Sequence, residues 1–161
     1  MAKGGRSLFS LTTVFASFFG AALIAAAYAY FNYKFAEYKF IDFGKWVFYE
    51  KTDVFQPVDE RYLVVLYSSK DKNSFDALTH ADTEYKILAV DFYQNSYVNT
   101  NKTIFLRAGT NTNLQFIQRF NIYHSPTVFI IKKVKDTLYK QDSMIRSLDN
   151  IEQLNTRIKE L

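Results

Sequence analysis

The pattern of apolar and polar positions divides the chain into segments of different character. From Ser7 to Phe31 the sequence runs for 25 residues without a charge, and an α-helix needs about 20 apolar residues to cross a bilayer. Residues 32–57 mix aromatic and charged side chains, and residues 58–161 carry short apolar runs between polar segments. The pattern therefore predicts a short tail at 1–6, a transmembrane helix at 7–31, an aromatic membrane-proximal segment at 32–57 and a globular domain at 58–161.

A cleaved signal peptide is the alternative interpretation of the first helix, because a basic start is followed by an A-x-A site at 27–29. Signal cores are only about 7 to 15 residues long, so a retained single-pass anchor is the favoured interpretation. The lysine and arginine counts on the two sides of the helix are similar. The short basic tail still favours a cytoplasmic amino terminus, which predicts a bacterial inner-membrane protein with its globular domain in the periplasm.

The aromatic segment begins with helical spacing. Phe31, Phe35, Tyr38 and Ile41 recur at intervals of three and four residues, which predicts that the helix continues beyond the membrane interface. Further aromatic residues then add apolar surface, among them Trp46. The segment either lies on the membrane or packs on the domain or a partner, and packing on its own domain is the first expectation.

Strand patterns define the framework of the domain. Residues 62–67, 86–92 and 126–131 are β-branched or aromatic runs of strand length. A basic turn at 132–135 is expected to lead into a hairpin partner with alternating exposure at 136–143.

Helical patterns lie between and after these strands. The segments and their apolar positions are 74–85 with Phe75 and Leu78, 113–122 with Leu114, Ile117 and Phe120, and 147–161 with Ile151, Leu154 and Ile158. Ser147 or Asp149 is the expected N-cap of the last helix. Polar loops are expected at 95–103 and 107–113. The order of elements predicts an α/β fold with a parallel βαβ unit, an antiparallel hairpin and a covering helix.

Three segments in this order resemble the thioredoxin fold, over about residues 58–158. They are the strand "YLVVLY", its partner "ILAVDF" and the helix, turn and strand of "FIQRFNIYHSPTVFIIK". The resemblance implies a thioredoxin-like three-layer sandwich with a mixed sheet. It also implies a cis bond before Pro126 and a surface position for the Ser125 backbone.

The chain departs from that family where the chemistry is concerned. It contains no cysteine, and "SSKDKNS" at 68–74 stands where the family places its two cysteines. Dithiol exchange needs a thiolate nucleophile, which a serine hydroxyl cannot replace. The sequence therefore predicts a redox-inactive domain.

No other chemistry is expected at this position. A triad of Ser74, His124 and Asp71 is rejected because the sequence has no nucleophile elbow and no oxyanion motif. The second histidine, His80, also lacks an identified carboxylate partner with which it could form a metal site. The sequence predicts neither an enzyme nor a site for a metal, a cofactor or a small-molecule substrate.

The charge of the chain argues against nucleic acid as a partner. The formal net charge is +4, and most of it lies in residues 1–51, so the globular part is nearly neutral and lacks a basic stripe for phosphates. The high content of 16 Phe and 12 Tyr suggests contact surfaces as well as a core.

Protein partners in a membrane-associated assembly are the expected ligands. The favoured function is a non-catalytic scaffold subunit of an envelope assembly, with a flagellar motor accessory disk ahead of a respiratory or secretion complex. A peptide-binding or chaperone-like module that uses the Ser125–Pro126 edge is the competing hypothesis. The candidate partner-binding residues are Ser68, Ser69, Asp71, Ser74, His124, Ser125 and Pro126 in the domain, and Phe35, Tyr38 and Trp46 in the aromatic segment.

Overall fold

The computed structural model describes residues 10–37, 39–95 and 97–161, without the side chains of residues 34–37. Contacts divide the chain into two units, a helical unit that ends at Glu37 and a compact unit over Tyr38–Leu161. Two of the expected partner-binding side chains, Phe35 and Tyr38, lie outside the described residues.

The amino-terminal unit is a single long helix, α1 (Leu11–Glu37). Its stretch from Leu11 to Tyr33 is apolar and long enough to cross a membrane, and none of it is buried against the protein. Large side chains such as Phe15, Phe18 and Ile24 are therefore exposed along it. A bilayer is an environment that would cover such a surface.

The compact unit is built on a mixed sheet of nine strands among the described residues. Its strands are β1 (Phe40–Asp42), β2 (Phe48–Glu50), β3 (Asp53–Val54), β4 (Arg61–Tyr67), β5 (Lys86–Asp91), β6 (Thr103–Ala108), β7 (Thr127–Lys135), β8 (Leu138–Gln141) and β9 (Arg146–Ser147). The sheet order is β1-β8-β7-β4-β5-β6-β2-β3, and β9 pairs with β7. The β4-β5 and β5-β6 pairs are parallel, and every other pair in the sheet is antiparallel.

Short helices complete the unit: α2 (Ser74–Thr79), α3 (Thr110–Arg119), a 3-10 turn (Ile151–Gln153) and α4 (Leu154–Ile158). Apolar side chains are buried on both faces of the sheet. One core cluster contains Phe116 of α3 and Phe120, the residue that follows this helix, and the other contains Leu78 of α2 and Leu154 of α4. The two clusters take alternate residues of β4 because successive side chains of a strand point to opposite faces.

The expected strands and hairpin are present, with shifted boundaries. β7 is longer than the segment 126–131 that was expected, and it includes the lysines that were expected to form a turn at 132–135. The chain reverses instead at Asp136 and Thr137, where Asp136 has a φ of 44°. In β8, buried Tyr139 lies between the more exposed Leu138 and Lys140, as the alternating pattern predicted.

The prediction of a loop at 107–113 was wrong. Arg107 and Ala108 end β6, and α3 begins at Thr110. The sequence analysis also missed β6 itself, which runs parallel to β5. Its burial does not alternate, because four of its six residues are buried and the two that are less buried stand three positions apart.

The helices differ from their predicted extents. The segment expected at 74–85 ends at Thr79, because the groups that would continue the helix have other partners: Thr103 Oγ1 donates to Leu78 O over 2.8 Å, and Asp82 N donates to Asn155 Oδ1 over 2.8 Å. In α3 the most buried apolar residue is Phe116, whereas the expected Leu114 is 50% exposed. The last helical segment begins at Ile151, and its cap is Asn150 rather than Ser147 or Asp149: Asn150 Oδ1 accepts from Gln153 N over 3.2 Å.

The aromatic segment is part of the sheet. The helix ends at Glu37, and Ile41, which was expected to continue it, is buried in β1. β1 pairs with β8, and β2 pairs with β6, so residues 40–55 contribute three strands to the unit that was expected to start at residue 58. The segment thus packs on its own domain, which was the first of the expected arrangements.

Candidate functional site

The candidate site lies at one end of the sheet, where the parallel strands β4 and β5 finish. The antiparallel strand β7 starts at the same end, because Thr127 pairs with Leu66. We call this region the loop end and define it as residues 68–75, 92–95, 121–126 and 149–152. Side chains that follow the carboxyl ends of parallel strands meet here, which makes this end a common position for binding sites in α/β sheets.

The loop after β4 is closed by a serine. Ser74 is buried, and its hydroxyl group donates to Ser68 O over 3.0 Å and to Asp71 O over 2.9 Å. Asn73, immediately before it, takes a left-handed conformation with a φ of 66° and donates through Nδ2 to Glu152 Oε1 over 3.1 Å. The Ser74 side chain therefore closes the loop and does not point outward as a nucleophile.

The carboxylate of Asp91 joins two loops of the site. This side chain is buried at the end of β5, and it accepts hydrogen bonds from three backbone N–H groups. Oδ1 accepts from Ser69 N over 2.9 Å and from Tyr93 N over 3.2 Å, and Oδ2 accepts from Asn95 N over 2.6 Å. A second link between the same loops is the hydrogen bond from Asn95 Nδ2 to Ser69 Oγ over 2.7 Å. The two loops are thus held in one geometry.

Below these loops Tyr67 is fully buried, and its hydroxyl group has no hydrogen-bond partner among the described residues. Burial raises the pKa of Tyr67 well above its usual range, and the nearby charge of Asp91 raises it further. The phenol therefore stays neutral at any physiological pH and packs as an aromatic ring against Phe105.

The turn before β7 contains the Ser125–Pro126 peptide bond, which is cis. Ser125 is exposed and Pro126 is buried. The chain itself covers the adjacent strand edge: β9 pairs with Thr127 and Val128, and Leu148 N donates to Pro126 O over 2.9 Å. The first residues of β7 therefore already have a strand partner.

A shallow polar depression of about 440 Å³ lies between the loop after β4 and the turn at Pro126. Its lining includes both signs of charge, and its walls are Lys70, Asp71, Lys72, Ser125, Pro126, Asp149, Asn150, Ile151 and Glu152. No group of three or more metal-ligating side chains occurs there or elsewhere in the described part of the chain.

Exposed aromatic rings concentrate at the loop end. Outside α1, the structure describes five aromatic side chains that are exposed, and four of them lie here: Phe75, Phe92, Tyr93 and Tyr123. Phe92 and Tyr93 contact each other edge to face, with ring centres 5.3 Å apart. Lys70 Nζ stands 3.8 Å from the centre of the Tyr93 ring, which is a cation–π contact. The fifth ring, Tyr49, lies on β2.

The structure brings together part of the predicted site. Asp71, Ser125 and Pro126 line the depression, and Ser68 and Ser69 belong to the loop that Ser74 closes. His124 is exposed, and its carbonyl accepts from Thr127 Oγ1 over 2.5 Å. Trp46 is elsewhere, packed against the core, and the guanidinium of Arg119 lies 5.1 Å from the centre of its ring.

Sequence reasoning missed Asp91, Phe92 and Tyr93 as parts of this site. It placed Asp91 and Phe92 in the buried strand expected at 86–92 and assigned no role to Tyr93. The available signal was their position, because an acidic residue and two aromatic residues directly follow a buried parallel strand.

Comparison with known proteins assigns no family to the chain. No protein-family model matches it, and no curated protein is significantly similar to it.

Proposed function

We propose that this protein is a membrane-anchored, non-catalytic scaffold subunit that holds a protein partner at the loop end of a thioredoxin-like domain in the periplasm. The observation that carries the proposal is the concentration of exposed aromatic rings at one end of the sheet. A periplasmic disk of a flagellar motor, a respiratory complex and a secretion machine are assemblies of the kind it would join.

Aromatic rings on a rigid support suit a protein interface. Tyrosine and phenylalanine are enriched in the buried centres of interfaces, where a few anchors supply most of the binding energy. Phe92 is 45% exposed and Tyr93 is 46% exposed, although apolar side chains of this size are usually buried. The hydrogen bonds of Asp91 hold their loop in place, so little conformational entropy is lost when a partner binds.

The arrangement favours docking of side chains over addition of a peptide strand. The edge beside Pro126 is paired with β9, and the outer strands of the sheet, β1 and β3, are only three and two residues long. Short edge strands protect a sheet against pairing with a further strand. The peptide-binding module therefore remains the second candidate.

The polar groups of the loop end support a non-catalytic function. The Ser74 hydroxyl donates to two backbone carbonyl groups, and the Asp91 carboxylate accepts from three backbone N–H groups. The hydrogen-bonding groups of Ser74 and Asp91 thus hold the loops in place.

Site-specific photocrosslinking in living cells tests this function. A benzoylphenylalanine at Tyr93 of the full-length chain should give a few discrete crosslinked products that mass spectrometry assigns to components of one assembly. The matched control places the same group at Val58, which is 71% exposed and lies before β4, at the opposite end of that strand. Equal crosslinking at the two positions would refute the proposal that the loop end is the partner interface.

The identity of the crosslinked proteins separates the two candidates. Components of one assembly support the scaffold, and they identify which assembly it is. A broad set of unrelated unfolded chains at position 93 would instead establish the peptide-binding module.

A further inference from the structure

A row of positive side chains crosses three neighbouring strands at the other end of β4. Arg61 of β4 pairs with Lys132 of β7, and Lys132 pairs with Lys140 of β8. Lys140 in turn pairs with Phe40 of β1, the edge strand. Residues directly opposite each other on neighbouring strands project to the same face, so the three cations and Phe40 form one continuous row.

The two lysines of this row have no counter-charge of their own. Both are exposed, and neither forms an ion pair within the described residues. Arg61 alone is paired, with Asp142 Oδ2 at 3.3 Å. Asp42 on β1 accepts from Thr137 and stands 3.9 Å from Lys45 Nζ. Further carboxylates, those of Glu60, Asp82 and Glu84, lie near Arg61. The unpaired positive charge of the row is therefore that of Lys132 and Lys140.

Like charges at directly opposite positions of a sheet destabilise the folded state. The Arg61-Lys132 and Lys132-Lys140 pairs are two such positions in succession. An anionic surface laid across the row would relieve both repulsions. The physical chemistry thus indicates a ligand that offers several negative charges in a plane.

The position of the row along the chain indicates which anionic surface this is. The candidate membrane span ends at Tyr33, and only six residues separate it from Phe40 at the end of the row. A tether of this length limits the distance between Phe40 and the bilayer. The Phe40 ring, whose centre is 5.8 Å from Lys140 Nζ, is an apolar side chain of a kind that enters the headgroup region in interfacial segments.

We infer that the row Arg61, Lys132 and Lys140, together with Phe40, docks the domain on the surface of a bilayer that contains anionic phospholipid. The lysines contact lipid phosphate groups, and Phe40 enters the interface. This contact is separate from the proposed partner surface, which lies at the opposite end of β4. It would orient the loop end away from the membrane and toward a partner.

Fluorescence quenching on the full-length chain tests the inference. Because the chain has no cysteine, Val134→Cys introduces a unique labelling position on β7, at a side chain that is 54% exposed. The labelled protein is reconstituted into nanodiscs of phosphatidylcholine, with or without phosphatidylglycerol, that contain a lipid with a quencher on its headgroup. We expect stronger quenching in the anionic discs, and we expect high salt to remove the difference.

The double variant Lys132→Gln/Lys140→Gln should lower the docking equilibrium constant by about fivefold for each lysine removed. Its control is Lys51→Gln/Lys159→Gln, which changes the net charge equally at exposed positions outside the row and outside the loop end. Quenching that is independent of lipid charge, or that both double variants reduce equally, would overturn the inference.

A separate readout distinguishes this contact from the anchor and from the partner surface. If the chain does not co-purify with the discs, it has no membrane anchor. The lipid contact is then refuted as well, because it depends on the anchor holding the domain near the bilayer. Loss of crosslinking at Tyr93 would instead refute the proposed function and leave the lipid contact standing.

Discussion

At the scale of single residues, the side chains that shape the site are polar groups that hold backbone in place. Asp91 fixes the loops at the carboxyl ends of β4 and β5, and Ser74 closes the loop after β4. Asp42 has a similar function at the far end of the sheet, where Oδ1 accepts from Gly44 N over 3.0 Å and from Thr137 Oγ1 over 2.7 Å.

Replacement of Asp91 tests the first of these functions. Asp91→Ala leaves three N–H groups without their acceptor, and an unsatisfied buried polar group costs about 1–3 kcal/mol. We expect a loss of that size in the free energy of unfolding, measured by urea unfolding of the full-length protein in detergent with Trp46, the only tryptophan, as the fluorescent reporter. The control is Asp53→Ala, at an exposed side chain of β3; equal losses in both variants would contradict the structural function of Asp91.

The pKa of Asp42 gives a pH-dependent prediction. The hydrogen bond from Thr137 lowers the pKa of Asp42 below its ordinary value, and Gly44 N and Lys45 add to this effect. Because the folded state binds the proton less tightly than the unfolded state, this contribution to stability is present above the unfolded pKa of about 3.9 and is lost as the pH falls through the folded pKa.

Removal of the hydrogen bond from Thr137, the largest of these effects, should raise the pKa of Asp42. In Thr137→Val the pKa of Asp42 should rise toward its ordinary value, as measured by NMR titration of the side-chain carboxyl carbon. Lys45→Gln should raise it by less, because Lys45 is the weakest of the causes. A larger rise in Lys45→Gln would mean that the ion pair dominates.

At the scale of elements, the segment between the helix and β4 completes the sheet. β1 and the pair β2-β3 add to opposite ends of the strand order. Phe43, Phe48 and Phe55 from this segment are buried in one core cluster. Short strands with few backbone hydrogen bonds are thus stabilised mainly by the rings they bury.

A truncation in this cluster tests whether the segment belongs to the folded unit. Phe43 is 4% exposed, and its ring centre lies 5.4 to 5.7 Å from those of Phe48, Phe55 and Tyr139. Phe43→Ala should therefore lower the free energy of unfolding by about 3–5 kcal/mol. Thermal unfolding of the full-length protein measures the loss, with Tyr49→Ala on the exposed side of β2 as the matched control. A small loss at Phe43 would mean that the segment packs only loosely on the sheet.

At the scale of the whole molecule, the chain combines an apolar helix with a compact domain that has two candidate contact surfaces. The aromatic loop end and the cationic row lie at opposite ends of β4. A domain that contacts a membrane at one end and a protein at the other is suited to connecting the two.

The orientation of the helix gives a prediction at this scale. The proposed topology places residue 2 in the cytoplasm and the turn between β2 and β3 outside it. In spheroplasts with an intact inner membrane, a membrane-impermeant maleimide should label Thr52→Cys, an exposed position in that turn, and should label Ala2→Cys only after the membrane is permeabilised. The reverse pattern would place the domain in the cytoplasm, and a mature chain that lacks residue 2 would indicate a cleaved signal peptide.

Periodicity along the chain determined the long helix and the central strands. The apolar run of the helix and the strands at 62–67, 86–92 and 126–131 were predictable because each is a continuous local pattern. A thiol-based reaction was also excluded by the sequence, since the chain has no cysteine.

Only the tertiary structure decided the pairing of β1, β2 and β6, because a strand of three to six residues carries too little pattern to specify its partner. The loop end and the cationic row became visible for the same reason. Phe75 and Tyr93 lie on different loops, and Arg61 is far in the sequence from Lys132 and Lys140. Each group is brought together by the order and register of the strands. Surfaces of this kind depend on non-local pairing, which hydrophobic periodicity does not encode.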